Sequence, residues 1–544
     1  MGKSAEIIHQ WQFLGPPNPA LLKDEVLENA RKLGITSLES YFFWSEIEKE
    51  EGKIDFSSYD VLVEKLKKHN LKWVPFLILG PDYGTPKWFK ESKESVFYKC
   101  LEHNKESKNQ SLWNPNLPKY VDRFLAKVAE HYDKDILESI VLGISGNWGE
   151  AIYPASGFLV GDAHYHSGFW CGDKYAAQQY KSLKNKDFPI LMINKPKGFI
   201  YLLVRISGKT PKFIRKFIKL ILKLRKRKFY FVQGSEYQPK ELETAEQKKD
   251  WLDFINWYLS SMTNWVDFWL QTAKKYFPET KTYFTTGGTG NPVLGADFVG
   301  QVRTAKKYGA GVRITNQTND YAQSFVLTRL VSSACRFYDT YFTTEEEGIL
   351  QTANGVTMRI FDATSSGADG FYCKNVIAQG YLYAIEEKIP AGKLTPGAKS
   401  LEKYLNFLEV QKPIIKTAVF FPNTSIALNP GLIPDLFNQC ARLRDVLDFD
   451  FVDEQMIEDR ALERYENLLI LVGELPKEKI PSHVKVFYDQ EKIGDKIDNE
   501  YDGVYATRFP GKMLYYNSTN SKKIKKVNNK MIEINPQSII SINL

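Results

Sequence analysis

Apolar and polar positions follow each other along this chain in two rhythms. From residue 6 to about residue 380, short apolar runs that read as buried strands are separated by longer stretches in which apolar residues return every three or four positions. The strand candidates are EIIHQWQF, SLESYFFW, KWVPFLIL, SIVLGIS, KTYFTT, GVRIT, FYDTYFTT and GFYCKN. Stretches such as ALLKDEVLENARKLG, SYDVLVEKLKKHN and YVDRFLAKVAEHY carry the helical period between them. In the second of these, Ser57 or Ser58 is placed to cap, and Val61, Leu62 and Leu66 to form the buried stripe. Eight strand–helix units predict a closed (β/α)8 TIM barrel over residues 1–385. No glycine-rich dinucleotide loop follows the first strand, which argues against an open doubly wound sheet.

The texture changes after residue 380. EEKIPAGKLTPGAKS is a Pro/Gly/Lys-rich connector, with a connector helix expected within 386–412. TAVFFPNTS, LIPDLFNQCARLRDVL, FDFVDEQMI, NLLILVGE and VKVFYDQ predict a smaller flavodoxin-like α/β domain over 413–508. Short strands around turns predict a C-terminal β element over 509–544.

One segment interrupts the barrel pattern. Roughly a hundred residues separate Glu150 from the helix that begins near Trp251, far beyond an ordinary loop. The centre of this insertion, 188–235, contains no acidic residue. Pro211 opens a helical pattern in which Phe213, Ile214, Phe217, Ile218, Ile221 and Leu224 form an apolar stripe. Lys212, Arg215, Lys216, Lys219 and Lys223 occupy the other face. That is the pattern of a helix lying on an anionic membrane surface, so membrane contact is the expectation for these residues. Packing of the stripe on the barrel is the plainer alternative.

Composition narrows the class. Hydrophobic residues at 43% and charged residues at 25% suit a soluble globular protein, and five scattered cysteines without a C-x-x-C pair argue against a disulfide framework. The first residues lack a signal-peptide pattern and no run of 18 apolar residues occurs, so a cytoplasmic location is expected, with peripheral attachment to the inner membrane face through the insertion. The net charge of +8 is concentrated there without a nucleic-acid-binding motif, and no specific nucleic-acid partner is expected. His164 and His166 lack the further ligands of a metal site, so neither a metal nor another cofactor is called for.

Barrel enzymes carry their reactive groups at the C-terminal strand ends. Here those ends supply Trp44, then Asp82 and Tyr83, then Asn147, Trp148 and Glu150. Later ends supply Asn316, the run Glu345–Glu346–Glu347, and Asn375. Cleavage of a glycosidic bond needs one carboxylic acid to protonate the leaving oxygen and a second carboxylate to attack or to activate water. Glu150 is the candidate acid/base. Glu345, first off its strand, is the candidate nucleophile, with Glu346 as its rival. Trp44, Asp82, Tyr83, Asn147, Trp148, Tyr153, His164, His166, Trp170, Asn316 and Asn375 are candidate sugar contacts, by stacking or hydrogen bonding.

The segment YFFWSEIEKEEGKIDFSSYDVLVEKLKKHNLKWVPFLIL resembles the second and third strand units of clan A glycoside hydrolases, notably the β-galactosidases of families 42 and 35. Around Glu150 the chain is more similar to family 14 β-amylases: Gly149, Glu150, Tyr153, Pro154, Phe169, Asp173, Lys174 and Tyr175 match the segment that carries their general acid. KTAVFFPNTS to NLLILVGE resembles the amidotransferase-like domain that follows the barrel in family 42. The chain departs from family 42 in placing Asn147 three residues before the acid rather than directly before it. The resemblance implies a glycosidase, retaining by preference, acting on a carbohydrate or glycolipid, and is compatible with a homo-oligomer. An inverting β-amylase-like enzyme on α-glucans and a catalytically inactive sugar-binding or membrane scaffold remain the alternatives.

Overall fold

The protein was analysed as a computed structural model, which describes residues 5–11, 18–154, 168–193, 237–239, 242–315, 320–345, 353–374, 376–378, 389–489, 493, 502–527 and 530–544. Eight parallel strands close into a barrel: β1 (Glu6–Trp11), β2 (Ser37–Phe43), β3 (Lys72–Ile78), β4 (Ser139–Gly143), β5 (Lys281–Gly287), β6 (Gly311–Thr315), β7 (Phe342–Thr344) and β8 (Gly370–Cys373). Each is followed by an outer helix: α1 (Asp24–Lys32), α2 (Ser57–Lys68), α3 (Leu117–His131), α4 (Ala245–Tyr276), α5 (Phe298–Lys307), α6 (Tyr321–Tyr338), α7 (Ala353–Ser366) and α8 (Pro396–Tyr404). This is the (β/α)8 architecture that the alternating pattern predicts.

Two details differ from expectation. α2 begins at Ser57 without a serine cap; the Asp55 carboxylate accepts the Ser57 N–H at 2.9 Å. Its buried face is Tyr59, Leu62, Val63 and Leu66, whereas Val61 points to water. The seventh strand begins at Phe342 rather than Phe337, because Phe337 and Tyr338 complete α6 and Asp339 turns the chain at φ 55°.

Strand side chains alternate between two cores. Ile8, Tyr41, Phe43, Val74, Phe76, Ile78, Val141, Tyr283 and Tyr372 fill the barrel interior. Ile7, Trp11, Leu38, Phe42, Trp73, Leu77 and Leu142 instead join the core under the helices. Gln10, Glu39 and Arg313 have the inward parity, so the barrel interior holds charge as well as aromatic rings. A hairpin, Phe97–Lys99 paired with Glu106–Gln110, fills the connection between β3 and α3.

Beyond the barrel, β9 (Thr417–Phe420), β10 (Asp450–Val452), β11 (Asn467–Leu469) and β12 (Lys485–Phe487) form a parallel sheet in the order β10–β9–β11–β12. The terminal strands are β13 (Val504–Phe509), β14 (Lys512–Asn517), β15 (Lys523–Val527), β16 (Lys530–Ile534) and β17 (Ser538–Asn543). β13 pairs antiparallel with β14 along its whole length, so the last β unit starts at Val504, inside the stretch assigned to the α/β domain from sequence.

Buried ion pairs join the α/β domain to the barrel. Arg329 of α6 reaches Asp448 at 3.1 Å and Asp450 at 3.2 Å, and Arg336 also binds Asp450. Arg444 binds the Tyr321 hydroxyl and the Ala506 carbonyl at 2.7 Å, linking α6 to the terminal sheet. Among the described residues, no helix is long and apolar enough to cross a membrane.

Candidate active site

The turn that presents Glu150 is built by glycines. After β4 the chain folds back so that Ile144 N–H donates to the Gly149 carbonyl at 2.8 Å. Gly146 and Gly149 take φ of 62° and 98°, conformations that side chains disfavour. A Cβ at Gly149 would lie 2.7 Å from the Phe76 ring, and one at Gly146 would lie 3.2 Å from Glu150 Oε2. The Glu150 carboxylate therefore curls back over its own turn, where it accepts the Trp148 N–H at 3.3 Å.

Glu345 arrives from the opposite side of the barrel, directly after β7. Its N–H bonds the Ile314 carbonyl of β6 at 2.9 Å, which extends the strand pairing and orients the side chain inward. Gln10 Nε2 donates to its Oε1 at 2.7 Å, and Arg313 Nη2 lies 3.7 Å from its Oε2.

Both carboxyl groups are buried, and the charge of Glu345 bears on Glu150. Burial pushes the Glu150 carboxyl up to about 7; the nearby negative charge of Glu345 pushes the same way, while Arg313 and backbone N–H groups oppose it. A carboxyl held near 7 can arrive protonated at neutral pH and still release its proton, as a general acid/base must.

Other predicted residues divide into three groups. Asn147, Asp82, Tyr83 and Trp148 gather at this end of the barrel. Asn109 of the hairpin donates to Asn147 Oδ1 at 2.8 Å and accepts the Asp82 N–H at 2.9 Å. Asn147 Nδ2 is buried without a hydrogen-bond partner among the described residues. The Tyr83 ring sits 5.9 Å from Trp148 and 5.1 Å from Phe43, while the Asp82 carboxylate is bound by Lys90 at 2.9 Å.

Trp44, Tyr153 and Trp170 do not join them. Each is at most 1% exposed. The Trp44 indole donates to Glu48 and packs on Trp88, Phe89 and Tyr120. Tyr153 is stacked between Tyr258, at 4.0 Å, and Trp113, at 5.6 Å. Trp170 belongs to the same outer core. An aromatic ring at a strand end can turn towards the mouth or under the helices; these three turn under, so no sugar can stack on them.

Glu346, Glu347, His164, His166, Asn316 and Asn375 lie outside the described residues. So do the membrane-contact candidates Lys212, Phe213, Ile214, Arg215, Lys216, Phe217, Ile218, Lys219, Ile221, Lys223 and Leu224. Gln10, Glu39, Asn109 and Arg313 were not singled out from sequence. For Gln10, Glu39 and Arg313 the signal was a charged or amide residue at the inward position of a largely apolar strand, as in GVRIT; Asn109, in the polar hairpin strand ESKNQ, carried none.

Residues 19–141 match the family model Glyco_hydro_42, described as β-galactosidase. The matched stretch runs from α1 into β4, the first half of the barrel. Among solved structures, the chain is similar to the β-galactosidase of the psychrophilic Marinomonas ef1, with a TM-score of 0.65 at 11% identity over 98% of this chain and 99% of that one. It is also similar to the β-galactosidase of the haloarchaeon Halorubrum lacusprofundi, at 0.62 and 12% over 99% of both chains. The catalytic domain of the Paenibacillus polymyxa β-amylase matches 73% of the chain and 97% of its own length, at 0.53 and 16%. No curated protein sequence matches. At these identities the structural likeness speaks to the fold, and it extends over the barrel and the domains behind it.

Proposed function

We propose that the protein cleaves a glycosidic bond by a retaining mechanism, with Glu150 as acid/base and Glu345 as nucleophile. The observation that carries this is the pairing itself: strand ends on opposite sides of the barrel bring two carboxyl groups into one buried region, one raised to about 7 and the other bound by Gln10 and Arg313. Glu345 would attack the anomeric carbon while Glu150 protonates the departing oxygen; Glu150 would then take a proton from the water that releases the sugar. The β-galactosidases with this fold support a β-galactoside as the substrate class, and Asn147 would bind a ring hydroxyl. A panel of nitrophenyl glycosides headed by the β-D-galactoside tests the reading. Glu150→Gln is expected to slow the reaction about 100- to 10,000-fold at unchanged fold. Wild-type kcat/KM should fall as pH rises above about 7, where Glu150 loses its proton. Turnover that survives Glu150→Gln and Glu345→Gln overturns the assignment.

The match around Glu150 to β-amylases supports a second reading, inversion on an α-glucan. The anomer released first, read by proton NMR, separates the two, since retention requires the covalent intermediate. The basic amphipathic sequence 211–224 supports a substrate held at an anionic membrane surface. Co-sedimentation with phosphatidylserine vesicles should fall at least several-fold when residues 195–230 are removed; equal partitioning of the two proteins rules the surface out.

A further inference from the structure

Below the mouth of the barrel lies a charged cluster that the two-glutamate reading leaves without a task. Arg313, Glu39 and Gln10 project inward from β6, β2 and β1, each no more than 1% exposed. The Arg313 guanidinium lies over Phe76 and Tyr372, 4.4 and 5.3 Å from their ring centroids, which holds its plane. Its Nη1 binds Glu39 Oε2, and its Nη2 points to Glu345 Oε2 at 3.7 Å. Gln10 takes the remaining Glu345 oxygen at 2.7 Å. Both oxygens of Glu345 are thus addressed, one from the adjacent strand β6 and one from β1 across β8, and rotation of its carboxylate is restrained. A buried arginine needs a counter-ion, and Glu39 alone would satisfy that need. Arg313 nevertheless spans two carboxyl groups.

We propose that Arg313 is a positioning residue for the Glu345 carboxylate, and that Glu39 is the counter-ion that tempers its charge. The proposal rests on Glu345 being the nucleophile. Without Glu39, the whole charge of Arg313 bears on Glu345 and weakens the attacking oxygen. Without Arg313, Glu39 and Glu345 repel each other and the carboxylate loses its restraint. The two partners therefore act on the site with opposite sign, which a purely structural ion pair would not do. Among the described residues, the other titratable groups facing the cluster are the Glu150 carboxyl and the phenols of Tyr41, Tyr83 and Tyr372. Burial pushes the Glu39 carboxyl up, the charge of Arg313 pulls it back down, and the charge of Glu345 pushes it up again, so its ionisation depends on the arginine that it shares with Glu345.

The test uses the full-length protein and 4-nitrophenyl β-D-galactopyranoside. Glu39→Gln should move the acidic limb of kcat/KM to lower pH, and Arg313→Met should move it to higher pH. Arg313→Lys, which keeps the charge and loses the two-armed reach, should lower kcat about 100-fold with KM changed less than about threefold. The double variant Glu39→Gln/Arg313→Met removes both charges, guards against a folding failure in the single variants, and should return the limb towards its wild-type position. Limbs that stay fixed, or that move the same way in both single variants, overturn the proposal. An arm independent of turnover uses carbon-13 NMR of glutamate-labelled protein, with Glu39 and Glu150 assigned through their Gln variants. Arg313→Met should raise the Glu150 midpoint and Glu345→Gln should lower it; a midpoint unmoved by both overturns the proposal. Midpoints that shift in a protein that hydrolyses no glycoside leave the electrostatic cluster standing and remove the hydrolase reading instead.

Discussion

Glu150 owes its position to residues that have no side chain. Gly149 lies at φ 98° with the Phe76 ring where its Cβ would be, so any larger residue must move either the ring or the turn. Phe76 in turn supports the Arg313 guanidinium. Gly149→Ala is expected to cost about 1–3 kcal/mol of stability, through backbone strain and the clash. It should also lower kcat more than KM, because it displaces the acid rather than the sugar contacts. Urea unfolding and steady-state kinetics on the same preparation check both effects. At this scale Glu150 stood out only together with the glutamates that end the seventh strand and through its likeness to the β-amylase segment, since a lone carboxyl at a strand end is more often a solvated loop residue. Glu39 and Arg313 did not: their contact joins residues 274 positions apart, and an inward charge on a strand names no partner.

At the scale of elements, the sequence carried most of what the strands and helices became. All eight barrel strands coincide with apolar runs, because a strand buried on both faces has few polar positions with which to disguise itself. The errors came where neighbouring elements compete for the same residues. FYDTYFTT reads as one strand until the left-handed Asp339 ends α6 inside it. Trp44, Tyr153 and Trp170 illustrate the same limit for side chains, as period alone does not tell which of two cores takes a ring at a strand end. α6 itself carries a testable burden. Arg329 is fully buried against Asp448 and Asp450, so Arg329→Met leaves Asp450 to Arg336 and Asp448 to the Thr507 hydroxyl. A loss of about 3–5 kcal/mol in chemical unfolding is expected, the usual range when one member of a buried ion pair is removed.

Across the whole molecule, the junction between barrel and α/β domain also contains a cavity of about 320 Å³, lined by α4, α5 and the strand ends of the second sheet. Asp297 and Asp453 stand on its wall; burial raises both, Asp453 to about 7 with the charges of Asp297 and Glu454 adding to the rise, while hydrogen-bond donors partly offset it at each. A carboxyl whose proton is held more tightly in the folded state stabilises that state fully below its unfolded pKa of about 4, and the contribution is lost as pH climbs towards about 7. Thermal unfolding midpoints should therefore decline over that window in the wild type, and decline less in Asp453→Asn, which keeps a helix-capping side chain. An equal slope in both proteins removes Asp453 as the cause.

The arginine welds of α6 bear on how this protein can be divided. A chain cut in the connector after the eighth strand would keep every catalytic candidate, yet it would strand Arg329 as a cation in an oily seam stripped of its acidic mates. Expression of the barrel as a free-standing fragment should accordingly give aggregates, whereas the two halves supplied together have the means to find each other again.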